Sequence, residues 1–159
     1  SRRMERCFRS FLREAARSFL EGGQDEARRL YFELAEQIRE RRLPPTEFVQ
    51  WGMLNAETVA KFPRLQRLMD RAATGPGSRP GDRIEYYERE DGELAFLSEY
   101  ARDENIPYLL RRLRDVAARV RELFPSEAEY AACFPSITAR TNLSEAVAQR
   151  PAEQLSLFR

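Results

Sequence analysis

Phe8-Arg9-Ser10-Phe11-Leu12-Arg13-Glu14-Ala15-Ala16-Arg17-Ser18-Phe19 carries a plain helical period near the start of the chain. Its apolar residues, Phe8, Phe11, Leu12, Ala15 and Phe19, recur every three or four positions, which is the period of one helix face. Arginines occupy the opposite face. Arg2, Arg6, Arg9, Arg13 and Arg17 keep the same spacing, and only Glu5 and Glu14 supply negative charge in the first twenty positions. The pattern predicts a helix over residues 4–21, closed by Gly22-Gly23, because glycine adopts the left-handed backbone at a helix end without steric cost. A second helix is expected over 25–42, with Ala27, Leu30, Tyr31, Leu34 and Ile38 turned inward and Pro44-Pro45 as the stop. Two such helices joined by a short glycine link imply an antiparallel pair.

Downstream the elements shorten. Phe48-Val49-Gln50-Trp51 reads as an edge strand and Asn55 as a helix N-cap. A helix over 63–73 opens on Pro63 and buries Leu65, Leu68, Met69 and Ala72. Thr74-Gly75-Pro76-Gly77-Ser78-Arg79-Pro80-Gly81 has the composition of a loop. The Asp91-Gly92 pair stands between apolar runs at Ile84, Tyr86 and Leu94–Leu97, so a β-hairpin is expected over 83–97. Leu109, Leu113, Val116, Ala117 and Val120 predict a helix over 107–124, and the capping box Ser126…Glu129 opens a last one over 126–134. From Pro135 onward the helical period disappears and polar residues take over, which reads as a flexible tail over 135–159. The expected class is mainly α with a small β-hairpin or sheet (α+β), as one domain over 1–134 plus the tail.

Composition excludes several classes of protein. No apolar run approaches the ~20 residues that span a bilayer, and the N-terminus lacks a signal peptide's apolar core. Two widely separated cysteines, Cys7 and Cys133, do not indicate a disulfide framework. The chain therefore reads as cytoplasmic, and its opening on Ser1, with the first methionine at position 4, reads as a piece of something longer. There is no histidine, no zinc-type cysteine spacing, and no Gly-Lys-Ser/Thr ending on the loop at 75–81, so no catalytic residue, metal ligand or cofactor site is expected in this chain.

The net charge is only +1, yet Lys61 is the one lysine among 27 basic residues. Arginine's planar fork suits phosphate, although a GC-rich genome would write the same bias, so placement has to decide. Arg6, Arg9, Arg13 and Arg17 are the first candidates for DNA-phosphate contacts, and Arg111, Arg112 and Arg119 the second. The loop residue Arg79 and the hairpin residue Arg83 complete the set. A merely solvated helix face is the competing account for each.

The polar tail ends Gln154-Leu155-Ser156-Leu157-Phe158-Arg159, with three large apolar side chains in four positions and no core left to bury them. Gln154 can donate and accept hydrogen bonds, while Leu155, Leu157 and Phe158 can anchor in an apolar pocket. The pentapeptide resembles the bacterial sliding-clamp-binding motif, glutamine-leucine-serine/aspartate-leucine-phenylalanine, at all five positions. The resemblance implies a sliding clamp as partner, and with it a nucleoid-associated role in DNA replication or repair.

The body of the chain resembles the thumb region of family B DNA polymerases, especially bacterial ones related to DNA polymerase II. The likeness rests on the opening through Phe11-Leu12-Arg13-Glu14-Ala15, on Leu43-Pro44-Pro45-Thr46-Glu47-Phe48-Val49, and on Gly81-Asp82-Arg83-Ile84-Glu85-Tyr86-Tyr87. It covers roughly residues 1–124 and departs from the family pattern at two places. Asn105-Ile106-Pro107-Tyr108 has one tyrosine and no aspartate where the family carries an aspartate and a tyrosine pair. Phe62-Pro63-Arg64 lacks the family's histidine. The resemblance implies a helical thumb that grips primer-template duplex, works beside a palm and other domains, and leaves the Mg2+ chemistry to palm aspartates upstream. A free-standing helical adaptor, or a small polymerase subunit that brings a partner to the clamp, is the alternative.

Overall fold

Gly22 and Gly23 end the first helix by the hydrogen bonds they make. In the computed structural model, which describes residues 4–53, 55–71 and 83–138, α1 spans Arg6–Leu20 and α2 spans Gln24–Arg39. Gly22 takes φ of 86°. Its N–H donates to the Phe19 carbonyl at 3.2 Å, and the Gly23 N–H donates to the Ser18 carbonyl at 2.8 Å. These bonds satisfy carbonyls that a helix end otherwise leaves open. α2 closes in the same way with no glycine: Arg41 stands at φ 54°, and the N–H groups of Arg41 and Arg42 reach Ile38 and Gln37 at 3.2 and 2.9 Å.

The chain divides into two compact units. One contains the described residues of Cys7–Arg42 and those from Ile106 onward: α1 from Cys7 on, α2, α5 (Ile106–Ala117) and α6 (Glu127–Cys133). Its core is aromatic. Phe11 lies 6.2 Å from Tyr31 and 6.0 Å from Phe134, ring centre to ring centre, and Phe124 meets Phe19 edge-on at 4.8 Å. The helical period over 107–124 breaks in two here: α5 ends at Ala117, and Ala118–Leu123 winds on as a tighter 3-10 helix. Ser126 caps α6 by accepting the Glu129 N–H at 3.2 Å. Beyond α6 the chain still packs, since Tyr31 donates its hydroxyl proton to the Pro135 carbonyl at 2.6 Å and Ile137 is buried.

The other unit is built from the described residues of Leu43–Asn105, with Met4–Arg6. Its sheet is antiparallel in the order β1 (Gln50–Met53), β2 (Arg83–Glu88), β3 (Leu94–Phe96), with Trp51 opposite Glu85 and Tyr86 opposite Phe96. β1 is thus an edge strand, but it begins two residues later than its apolar run, because Pro45–Glu47 forms a 3-10 turn whose C-cap is Phe48. Between β2 and β3, Gly92 takes φ of 83° and donates to the Arg89 carbonyl at 2.9 Å, while Asp91 accepts the Glu93 N–H.

Alternate residues of β2 face opposite sides of the sheet. On one side α4 (Pro63–Arg71) lays Leu65 and Leu68 on Ile84 and Leu94. On the other, Tyr87 packs edge-on against Phe48 and Tyr100 and donates to Asp103 at 2.6 Å. Asn55 caps a short α3 (Ala56–Lys61) by accepting the Thr58 N–H at 2.7 Å. The buried Glu5 accepts from the Gln50 side chain at 3.1 Å. Helix makes up 63% of the described residues and the sheet has three short strands, so the class is α+β with helix dominant.

Candidate nucleic-acid interface

α1 separates its two chemistries by angle. Cys7, Phe8, Phe11, Ala15 and Ser18 are buried, and Arg6, Arg9, Arg13 and Arg17 are all exposed. At 3.6 residues per turn the four arginines fall within about 80° of arc, and at 1.5 Å per residue they extend over roughly 16 Å. The core-facing residues therefore dictate where the arginines point. Glu14 is the only carboxylate in this helix. Its two oxygens stand 3.7 Å from Arg13 Nε and 3.4 Å from an Arg17 guanidinium nitrogen. Arg6 and Arg9 have no ion pair among the described residues.

Most other arginines are engaged by neighbours. Arg29 reaches Glu26 and Glu33, Arg64 pairs with Glu88, and Arg67 holds both oxygens of Glu93 at 2.8 and 2.7 Å. Arg89 pairs with Asp91, and Arg121 pairs with Glu127 while lying over the Tyr130 ring. Hydrogen bonds from Arg29, Arg89 and Arg67 hold Glu26, Asp91 and Glu93 respectively below the ordinary carboxylate range. Arg28 is buried, donates to the Ala132 carbonyl and covers the Phe32 ring at 4.7 Å. A near-neutral total thus conceals an uneven surface in which the α1 face keeps its positive charge.

The remaining candidates are placed differently. Arg111 is exposed on α5, Arg112 is half-buried on the same helix, and Arg119 is exposed within the 3-10 turn. Because the helix tightens after Ala117, these three do not form one α-helical stripe. Arg114, which the sequence reading passed over, is exposed on α5 one turn beyond Arg111. Its three-residue spacing from Arg111 was the available signal. Arg83 opens β2 with its guanidinium 4.2 Å from the centre of the Trp51 ring and 3.2 Å from the Glu85 carboxylate. Beside it runs an open groove of about 520 Å³ lined by Arg83, Ile84, Glu85, Phe96, Leu97 and Ser98, where Arg83 and Glu85 balance in charge. Arg79 and the terminal Gln154, Leu155, Ser156, Leu157 and Phe158 lie outside the described residues.

No described helix is long and apolar enough to cross a membrane. Comparison with protein-family models and with curated proteins returned no match to either.

Proposed function

We propose that this chain is the non-catalytic, thumb-like region of a family B DNA polymerase, which grips primer-template duplex by its backbone and tethers the enzyme to the sliding clamp. The observation that carries the DNA-holding part is the exposed arginine face of α1, with Arg6 and Arg9 outside any ion pair among the described residues and only Glu14 opposing it. Such a face recognises a phosphate backbone and no particular base, because guanidinium forks pair with phosphate oxygens that every sequence presents. Arg111, Arg114 and Arg119 supply further positive charge on the unit that carries Arg9, Arg13 and Arg17. The terminal Gln154–Phe158 peptide supports the tether, and the order of thumb-like motifs along the chain supports the polymerase setting. In this reading the bond-forming chemistry and its Mg2+ belong to palm aspartates outside this chain.

The test is fluorescence anisotropy of the full chain with two labelled duplexes of unrelated sequence. The reading predicts equal affinity for both, with log K falling linearly against log salt at a slope no steeper than about −4 for four phosphate contacts. Replacing Arg6, Arg9, Arg13 and Arg17 together by glutamine weakens the interaction at least about tenfold and flattens the salt slope. Absence of binding at low salt, or binding untouched by the quadruple replacement, overturns the grip. Clamp binding without DNA binding would instead assign the chain as a helical adaptor.

A further inference from the structure

Glu14 stands on α1 with one oxygen toward Arg13 and the other toward Arg17, at 3.7 and 3.4 Å. All three side chains are substantially exposed, at 65%, 58% and 38% for Arg13, Arg17 and Glu14. One carboxylate therefore spans two of the four guanidinium groups on this face, and Arg6 and Arg9 are left outside its reach. We infer that Glu14 is a built-in attenuator of phosphate binding by α1, holding Arg13 and Arg17 back so that the first contacts to duplex DNA fall to Arg6 and Arg9. The inference rests on the DNA-holding reading and specifies how that face is tuned.

Exposed ion pairs of this kind are weak and screened by salt, so a phosphate can displace Glu14 from either arginine. Displacement does not remove the carboxylate. It stays within a Debye length of a phosphate that docks at Arg13 or Arg17 and repels it. The helix thus offers two strong contacts and two costly ones, a division that keeps backbone contacts exchangeable. Exchangeable, sequence-independent contacts are what allow a protein to move along a duplex.

The experiment measures binding of labelled duplex DNA to the full chain and to Glu14→Gln across a salt series. Neutralising Glu14 tightens binding about three- to tenfold at low salt and steepens the salt slope by about one to two, as two arginines become full participants. A cycle with Arg17→Gln reads the coupling directly. That replacement costs little beside Glu14 and several-fold more in the Glu14→Gln background. Glu14→Ala, which favours helix, gives the same tightening by a second route should the glutamine variant fold poorly. If the parent chain binds and Glu14→Gln matches it in affinity and slope, or if Arg17→Gln costs the same in both backgrounds, the attenuator is overturned and the DNA grip stands. If the parent chain binds no duplex at all, the DNA grip fails and the attenuator with it.

Discussion

Replacing Gly22 by alanine isolates the backbone geometry that closes α1. Gly22 sits at φ 86°, and a Cβ built there meets nothing within 4 Å. The substitution consequently adds no clash, and its whole effect is conformational. An L-residue in left-handed backbone costs about 1–2 kcal/mol, of which roughly half is recovered because alanine also restricts the unfolded chain. The net loss is about 1 kcal/mol, which for a chain of this size lowers Tm by roughly 2–4 °C. Gly52 serves as the control: it too has open space around its Cβ position, but its φ lies outside the left-handed range and it stands within β1. Gly52→Ala should leave stability unchanged or raise it by up to about 0.5 kcal/mol. Thermal unfolding followed by circular dichroism at the helix band measures both. Equal Tm changes of the same sign at the two sites would show that the left-handed φ of Gly22 carries no cost of its own.

Tyr31→Phe removes the hydroxyl that donates to the Pro135 carbonyl at 2.6 Å while leaving the buried ring in place, and it should cost about 1–2 kcal/mol in urea unfolding. An unchanged midpoint would contradict the packing of the chain beyond α6. Burial pushes the Tyr31 phenol well above its ordinary value, and burial together with the hydrogen bond to Asp103 does the same for Tyr87. Folded protein then keeps protons that unfolded tyrosine releases near pH ~10, so stability falls as pH rises past that value. An ultraviolet titration should show these two phenols ionising only as the protein unfolds. Ionisation of all six tyrosines near pH ~10 with the dichroism unchanged would sink that expectation.

The elements legible in the sequence are those whose own residues carry a period. Phe8, Phe11 and Ala15 are buried as the three-and-four spacing of α1 requires, and the arginine face follows from it as a matter of angle. Ser126 and Asn55 cap the helices that follow them, because a side-chain oxygen accepting an N–H three residues on is a local device. What escaped the sequence depends on distant partners. α3 has six residues and buries only Val59, too little for any period to register. The tightening after Ala117 has no glycine or proline to announce it; Val120 and Phe124 are buried there, with Phe124 against Phe19, Tyr130 and Phe134. Arg28 looks like any exposed charge until the Ala132 carbonyl arrives from 104 positions away. At the candidate interface, spacing picked out the α1 arginines. The stacking of Arg83 on Trp51 belongs to strand register, which no single stretch displays.

Tethering of a DNA-holding region at the replication fork is tested by binding of the full chain, with and without residues 154–158, to a bacterial sliding clamp. Immobilised clamp and surface plasmon resonance suffice. The tether requires reversible binding in the micromolar range, as expected of a short peptide that orders on binding, and its loss when Gln154–Phe158 is removed. An intact chain that does not bind the clamp, or binds equally well without those five residues, would rule out the tether.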